Sequence, residues 1–106
     1  MATGRLASAD LASGATTTVY VCPADTYAVA TLNLCNRGTN TSTITVAIAD
    51  TDSPTVGEYI EFETDLLSKN VLERTGIVLA ATQRIVVISS QASVSAVVVG
   101  IETSSV

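Results

Sequence analysis

Apolar and polar residues alternate with a period of two along nearly the whole chain, and that period is the signature of half-buried β-strands. Thr17-Thr18-Val19-Tyr20-Val21 reads as a strand stopped by Pro23. Ala28, Ala30, Leu32 and Leu34 share one face of the next strand, and Val29, Thr31 and Asn33 take the other. Ile44, Val46 and Ile48 are expected to point inward from the following strand, with Thr43 and Thr45 turned away. After the loop Asp50-Thr51-Asp52-Ser53-Pro54, Ile60 and Phe62 alternate with Tyr59, Glu61 and Glu63. The last strands are read at Gly76 to Ala80, Arg84 to Ser89 and Val94 to Ile101, and their apolar runs predict burial on both faces.

Two segments resist this pattern. Asp65 to Gly76 has an acidic N-cap candidate, good helix formers and a closing glycine, which would suit a short helix. The preferred reading is a turn over Ser68-Lys69-Asn70 followed by a strand from Val71 to Thr75. Gly4 to Ser13 offers only Leu6 and Leu11 as anchors and stays unassigned. Seven or eight short strands separated by turns predict an all-β fold: one antiparallel β-sandwich spanning residues 1–106, of jelly-roll or similar topology.

Composition sharpens the picture. Apolar residues form 47% of the chain and aromatics 4%, so the core must be built from Val, Ile, Leu and Ala. Charged residues are only 14%, against roughly 25% in an ordinary soluble domain. A small surface so poor in charge argues that part of it is covered by another protein. The net charge is −5 and the five basic residues stand singly, which disfavours nucleic acid as a partner. No apolar run approaches the roughly 20 residues a membrane helix needs. Met1 to Leu6 carries one basic residue and no apolar stretch, so a signal peptide is not expected and synthesis in the cytosol is the default.

The residues offer little chemistry. Without histidine there is no Ser-His or Cys-His pair and no imidazole metal ligand. The glycines stand singly, so no phosphate-cradling loop is present. No carboxylate pair is marked out for hydrolysis, and neither an enzyme activity nor a cofactor, metal or small-molecule substrate is expected. Asp50, Asp52 and Glu61 occupy the first, third and twelfth places of a calcium loop, but Pro54 replaces the fifth-place oxygen ligand and Thr55 the sharp-turn glycine. Asp50 and Asp52 read instead as an Asp-rich turn bonded to its own backbone. If Pro23-Ala24-Asp25 joins adjacent antiparallel strands, Cys22 and Cys35 lie roughly 26 Å apart, too far for a disulfide. Pairing would require the two strands to lie in different sheets; free, buried thiols are the expectation.

From Asp50 to Asp65 there are six acids and no base, which could face a basic partner or could simply guard a solvated edge strand from illicit pairing. In a packed sandwich only turns and edges remain free to meet a partner. The candidate partner contacts are therefore Asn36, Arg37, Thr39 and Asn40 in one turn, and Asp50, Asp52 and Glu58 in another.

Thr17-Thr18-Val19-Tyr20-Val21-Cys22-Pro23-Ala24, Ala28 to Gly38, Tyr59-Ile60-Glu61 and Val71 to Leu79 carry a further signal. In these segments the chain resembles a recurrent small virion protein of tailed phages, particularly those infecting cyanobacteria and other aquatic bacteria. Cys22 departs from that pattern, which prefers Thr or a similar residue before the proline. The resemblance covers most of the chain after residue 16 and implies a structural protein of the virion. It implies a capsid decoration (cement) subunit that forms homo-oligomers and bridges major capsid protein or other virion proteins, or alternatively a tail, baseplate or fibre accessory part. A carbohydrate-binding adhesin domain would belong to a different class, and the scarcity of aromatic rings counts against it.

Overall fold

The computed structural model describes residues 2–106. It contains eight strands: β1 Thr3–Leu11, β2 Thr16–Val21, β3 Thr26–Asn36, β4 Ser42–Ala49, β5 Tyr59–Leu66, β6 Val71–Leu79, β7 Arg84–Ser89 and β8 Val94–Ser104. A single 3-10 turn, Val56–Glu58, precedes β5. The strands form two antiparallel four-stranded sheets, ordered β1-β8-β3-β6 and β2-β7-β4-β5. First pairs with eighth, second with seventh, third with sixth and fourth with fifth, successive pairs alternating between sheets. That is the winding of an eight-stranded jelly roll.

The interface between the sheets is aliphatic, as the composition requires. Leu32, Leu34, Ile44, Val46, Leu79, Ile85, Val87 and Val98 are fully buried, and Tyr20 is the one aromatic ring in this core. Two polar contacts close the flanks. Arg74 Nη1 on β6 donates to Glu61 Oε2 on β5 at 2.8 Å, and the Tyr20 hydroxyl on β2 donates to Glu102 Oε2 on β8. Each ties an element of one sheet to the other.

Several expectations change. Gly4 to Ser13 holds a full edge strand, β1, secured by β8. The Asp65–Gly76 segment is a turn between two strands, without a helix, but the second strand does not stop at Thr75. It runs through Gly76, whose φ of +71° lets the strand bulge and continue to Leu79. Burial of the last strands on both faces holds for Ile85, Val86 and Val87 of β7. It fails at Val78 and Ile101, which are 63% and 54% exposed on the outer side of the first sheet. Ile44 and Val46 are buried as expected, while Ile48 is half-buried. Thr45 is buried too, because the next strand curls over it.

The condition set for a disulfide is met, since β2 and β3 lie in different sheets. Both cysteines are nevertheless free. The Cys22 sulfur sits 3.4 Å from the Thr26 carbonyl at the start of β3. Cys35 lies near the other end of that strand, roughly 30 Å away at strand rise.

Candidate functional site

The turn after β3 is built around a polar residue placed inside. Asn36 is fully buried: its Nδ2 donates to the carbonyls of Asn40 at 2.8 Å and Leu66 at 3.0 Å, and its Oδ1 accepts the Gly38 N–H at 2.9 Å. Every group of the amide is used to shape the turn, so Asn36 cannot meet a partner. Arg37 is exposed and forms an ion pair with Asp10 of β1. Its carbonyl accepts Lys69 Nζ at 3.0 Å. Thr39 and Asn40 remain exposed at the tip, beside Gln91 and Ser93, where the two turns enclose a shallow space of about 200 Å³.

The loop from Asp50 to Glu58 does not project. It folds back over the outer side of the second sheet, because Asp52 Oδ1 accepts Thr18 Oγ1 of β2 and Arg84 Nη1 of β7, each at 2.8 Å. Those bonds, the one from Thr18 first, hold the Asp52 carboxyl below the usual carboxylate range. Asp50 Oδ1 takes a longer bond of 3.4 Å from Gln83 Nε2. Glu58 accepts the Thr55 N–H at 2.8 Å and the Asp50 N–H at 3.2 Å, and the Thr55 amide is the main reason its carboxyl is also depressed. Glu61 is held by Arg74 and by Thr64 Oγ1. The carboxylates of the apparent calcium pattern thus serve separate local partners, and among the described residues no three metal-ligating side chains gather.

Four members of the acidic run are therefore engaged within the chain, and two, Glu63 and Asp65, stand exposed on edge strand β5 without an ion pair among the described residues.

Two surfaces emerge that the turn-based reading missed. On the outer side of the first sheet, Val29 of β3 is flanked by Val78 of β6 and by Ile101 of β8 in direct cross-strand register. Tyr27, two residues along β3 on the same side, extends this row, and all four side chains are more than two-fifths exposed. The alternation that buries Ala28 and Ala30 necessarily turns Val29 outward, so the sequence did carry this signal.

The second surface is a groove of about 390 Å³ on the outer side of the second sheet. The β4–β5 register steps from Ile44↔Thr64 to Val46↔Glu61, so Thr45 alone opposes both Phe62 and Glu63. Glu63 takes a φ of +48° and its N–H bonds Thr45 Oγ1 at 3.2 Å. This bulge puts Phe62 and Glu63 on one side, and a second register step, from Val46↔Glu61 to Ala47↔Tyr59, breaks the alternation that would place Phe62 with Ile60. Ile60 packs on the core, whereas Phe62 is 63% exposed and stacks on Tyr59, with ring centroids 5.5 Å apart and planes 22° from parallel. Ile88 and Thr45 help to form the floor.

No protein-family model matches the chain, and a comparison with curated proteins finds none similar to it.

Proposed function

We propose that the chain is a structural protein of tailed-phage virions, acting as a capsid decoration (cement) subunit that self-associates and bridges neighbouring capsid subunits. The observation that carries this reading is the exposed row Tyr27, Val29, Val78 and Ile101 on a chain with few charges. A contiguous apolar row on an open sheet face is favourable only when covered, at roughly 25 cal/mol for each Å² removed from water. Ion pairs and bonds that fasten the loops across the sandwich support it, since a subunit that clamps others must hold its own shape. The strand and turn segments that resemble small phage virion proteins support the virion as the place of action. A protein that binds only the assembled shell stabilises that shell by mass action.

Particles assembled with and without the protein test the reading. The expected result is capsids of normal shape that lose resistance to heat and osmotic shock, with tail attachment and adsorption intact. Unchanged capsid durability combined with failed adsorption would move the protein to the tail.

A further inference from the structure

The groove over β4 and β5 has a definite chemical character. Its walls present the stacked Tyr59 and Phe62 rings and one charged group, the Glu63 carboxylate. Among the described residues no cation stands there. Arg37, Arg74 and Arg84 are paired with Asp10, Glu61 and Asp52. Lys69 bonds the Arg37 carbonyl, and Arg5 lies on β1 in the other sheet.

Backbone donors in the walls are spent as well. Gly14 N–H bonds Ser89 O at 2.8 Å, Ser90 N–H bonds Thr43 O at 3.1 Å, Thr43 N–H bonds Ser90 Oγ at 2.8 Å, and Glu63 N–H bonds Thr45 Oγ1. An anion entering the groove meets a carboxylate and these four N–H groups already bonded. A saccharide meets Thr45 and Ser90 hydroxyl oxygens that already accept backbone bonds. What remains to be satisfied is an aromatic face beside an unpaired negative charge.

We propose that this groove seats an arginine side chain of a partner protein, with the guanidinium stacked on Phe62 and bonded to the Glu63 carboxylate. A guanidinium is planar and weakly hydrated, so it stacks on rings at small desolvation cost while its forked N–H groups bond a carboxylate. The bulge at Phe62 and Glu63 is what sets ring and carboxylate side by side on one face. The site is independent of the proposed place in a virion, because any partner displaying an arginine satisfies it.

The test is a titration of the full chain, with its Phe and Tyr ring resonances followed by NMR, using three probes: capped Gly-Arg-Gly, its neutral Gly-citrulline-Gly counterpart, and maltose. The arginine peptide should shift the Phe62 and Tyr59 rings saturably and the citrulline peptide should bind at least about fivefold more weakly, as expected when the charge contributes. Glu63→Gln and Phe62→Leu should each weaken the arginine peptide roughly three- to tenfold while leaving the backbone spectrum folded. Equal binding of the citrulline peptide, or no saturable response to the arginine peptide, would overturn the proposal. Saturation by maltose without a response to arginine would make the groove a saccharide site instead.

Discussion

The hydroxyl of Tyr20 on β2 donates to Glu102 Oε2 on β8, joining the two sheets at the flank where Glu102 Oε1 also accepts the Ala2 N–H at 3.1 Å. Burial, reinforced by Glu102, pushes the Tyr20 hydroxyl well above the ordinary tyrosine range. The bond from Tyr20, with that from Ala2, holds the Glu102 carboxyl low. Because the folded carboxyl is depressed, its contribution is present above the unfolded value of about 4.3 and fades as pH falls through the lower folded value. The raised Tyr20 value acts oppositely, contributing below about pH 10 and fading as pH rises toward the folded value. Tyr20→Phe should cost about 0.5–1.5 kcal/mol in urea unfolding near neutral pH. It should also flatten both the acid and the alkaline limbs of the stability profile.

Asn36 makes a sharper case, because a fully buried amide satisfies three backbone groups. Asn36→Ala leaves two carbonyls and one N–H without partners and should cost about 2–4 kcal/mol by denaturant unfolding. Asn36→Asp should be worse at neutral pH, since its carboxylate would face the Asn40 and Leu66 carbonyl oxygens. Acidification below about pH 4 protonates that side chain and restores one donor, so the gap to the wild type should narrow there.

Two glycines separate close approach from backbone freedom. A Cβ on Gly100 would lie 2.1 Å from the Val29 carbonyl oxygen and 2.8 Å from Ala30 Cα, with backbone that cannot yield. Gly100→Ala should therefore force β8 away from β3 at about 3 kcal/mol or more. Gly76 has open space around it but a φ of +71°, so Gly76→Ala should cost only about 1 kcal/mol. Melting curves of the two variants decide; equal shifts would mean that β3 and β8 are not so closely apposed.

The strand alternation made the sandwich legible, including the inward faces of β3 and β4, because a period of two is a purely local property. What it could not show depends on contacts between distant segments. The burial of Thr45 requires Glu63 to fold over it. The outward turn of Phe62 requires a bulge that shifts the register by one residue. Asn36 looks like any turn asparagine until Leu66, thirty positions later, arrives beside it. Asp52 reads as a turn acid bonded to its own backbone until Arg84 and Thr18 meet it across the sheet. Asn36 and Asp52, both marked for a partner, find one within the chain, while Thr39 and Asn40 stay exposed at their turn tip and two sheet faces are left open besides.

The apolar row on the first sheet gives the last prediction. If its burial drives association, the wild-type chain should sediment as an oligomer at high micromolar concentration and dissociate on dilution. Val78 is 63% exposed, so Val78→Lys should leave the monomer's stability within about 0.5 kcal/mol while shifting the chain to monomer. Val46, fully buried, is the contrasting position: Val46→Asp places an unpaired carboxylate in the core and should cost several kcal/mol, roughly the whole stability of a small domain. Loss of association at Val78 without loss of folding would tie the oligomer to this face. Persistence of the oligomer in Val78→Lys, or a wild-type chain that stays monomeric throughout, would remove self-association through the row and leave its cover to a different chain.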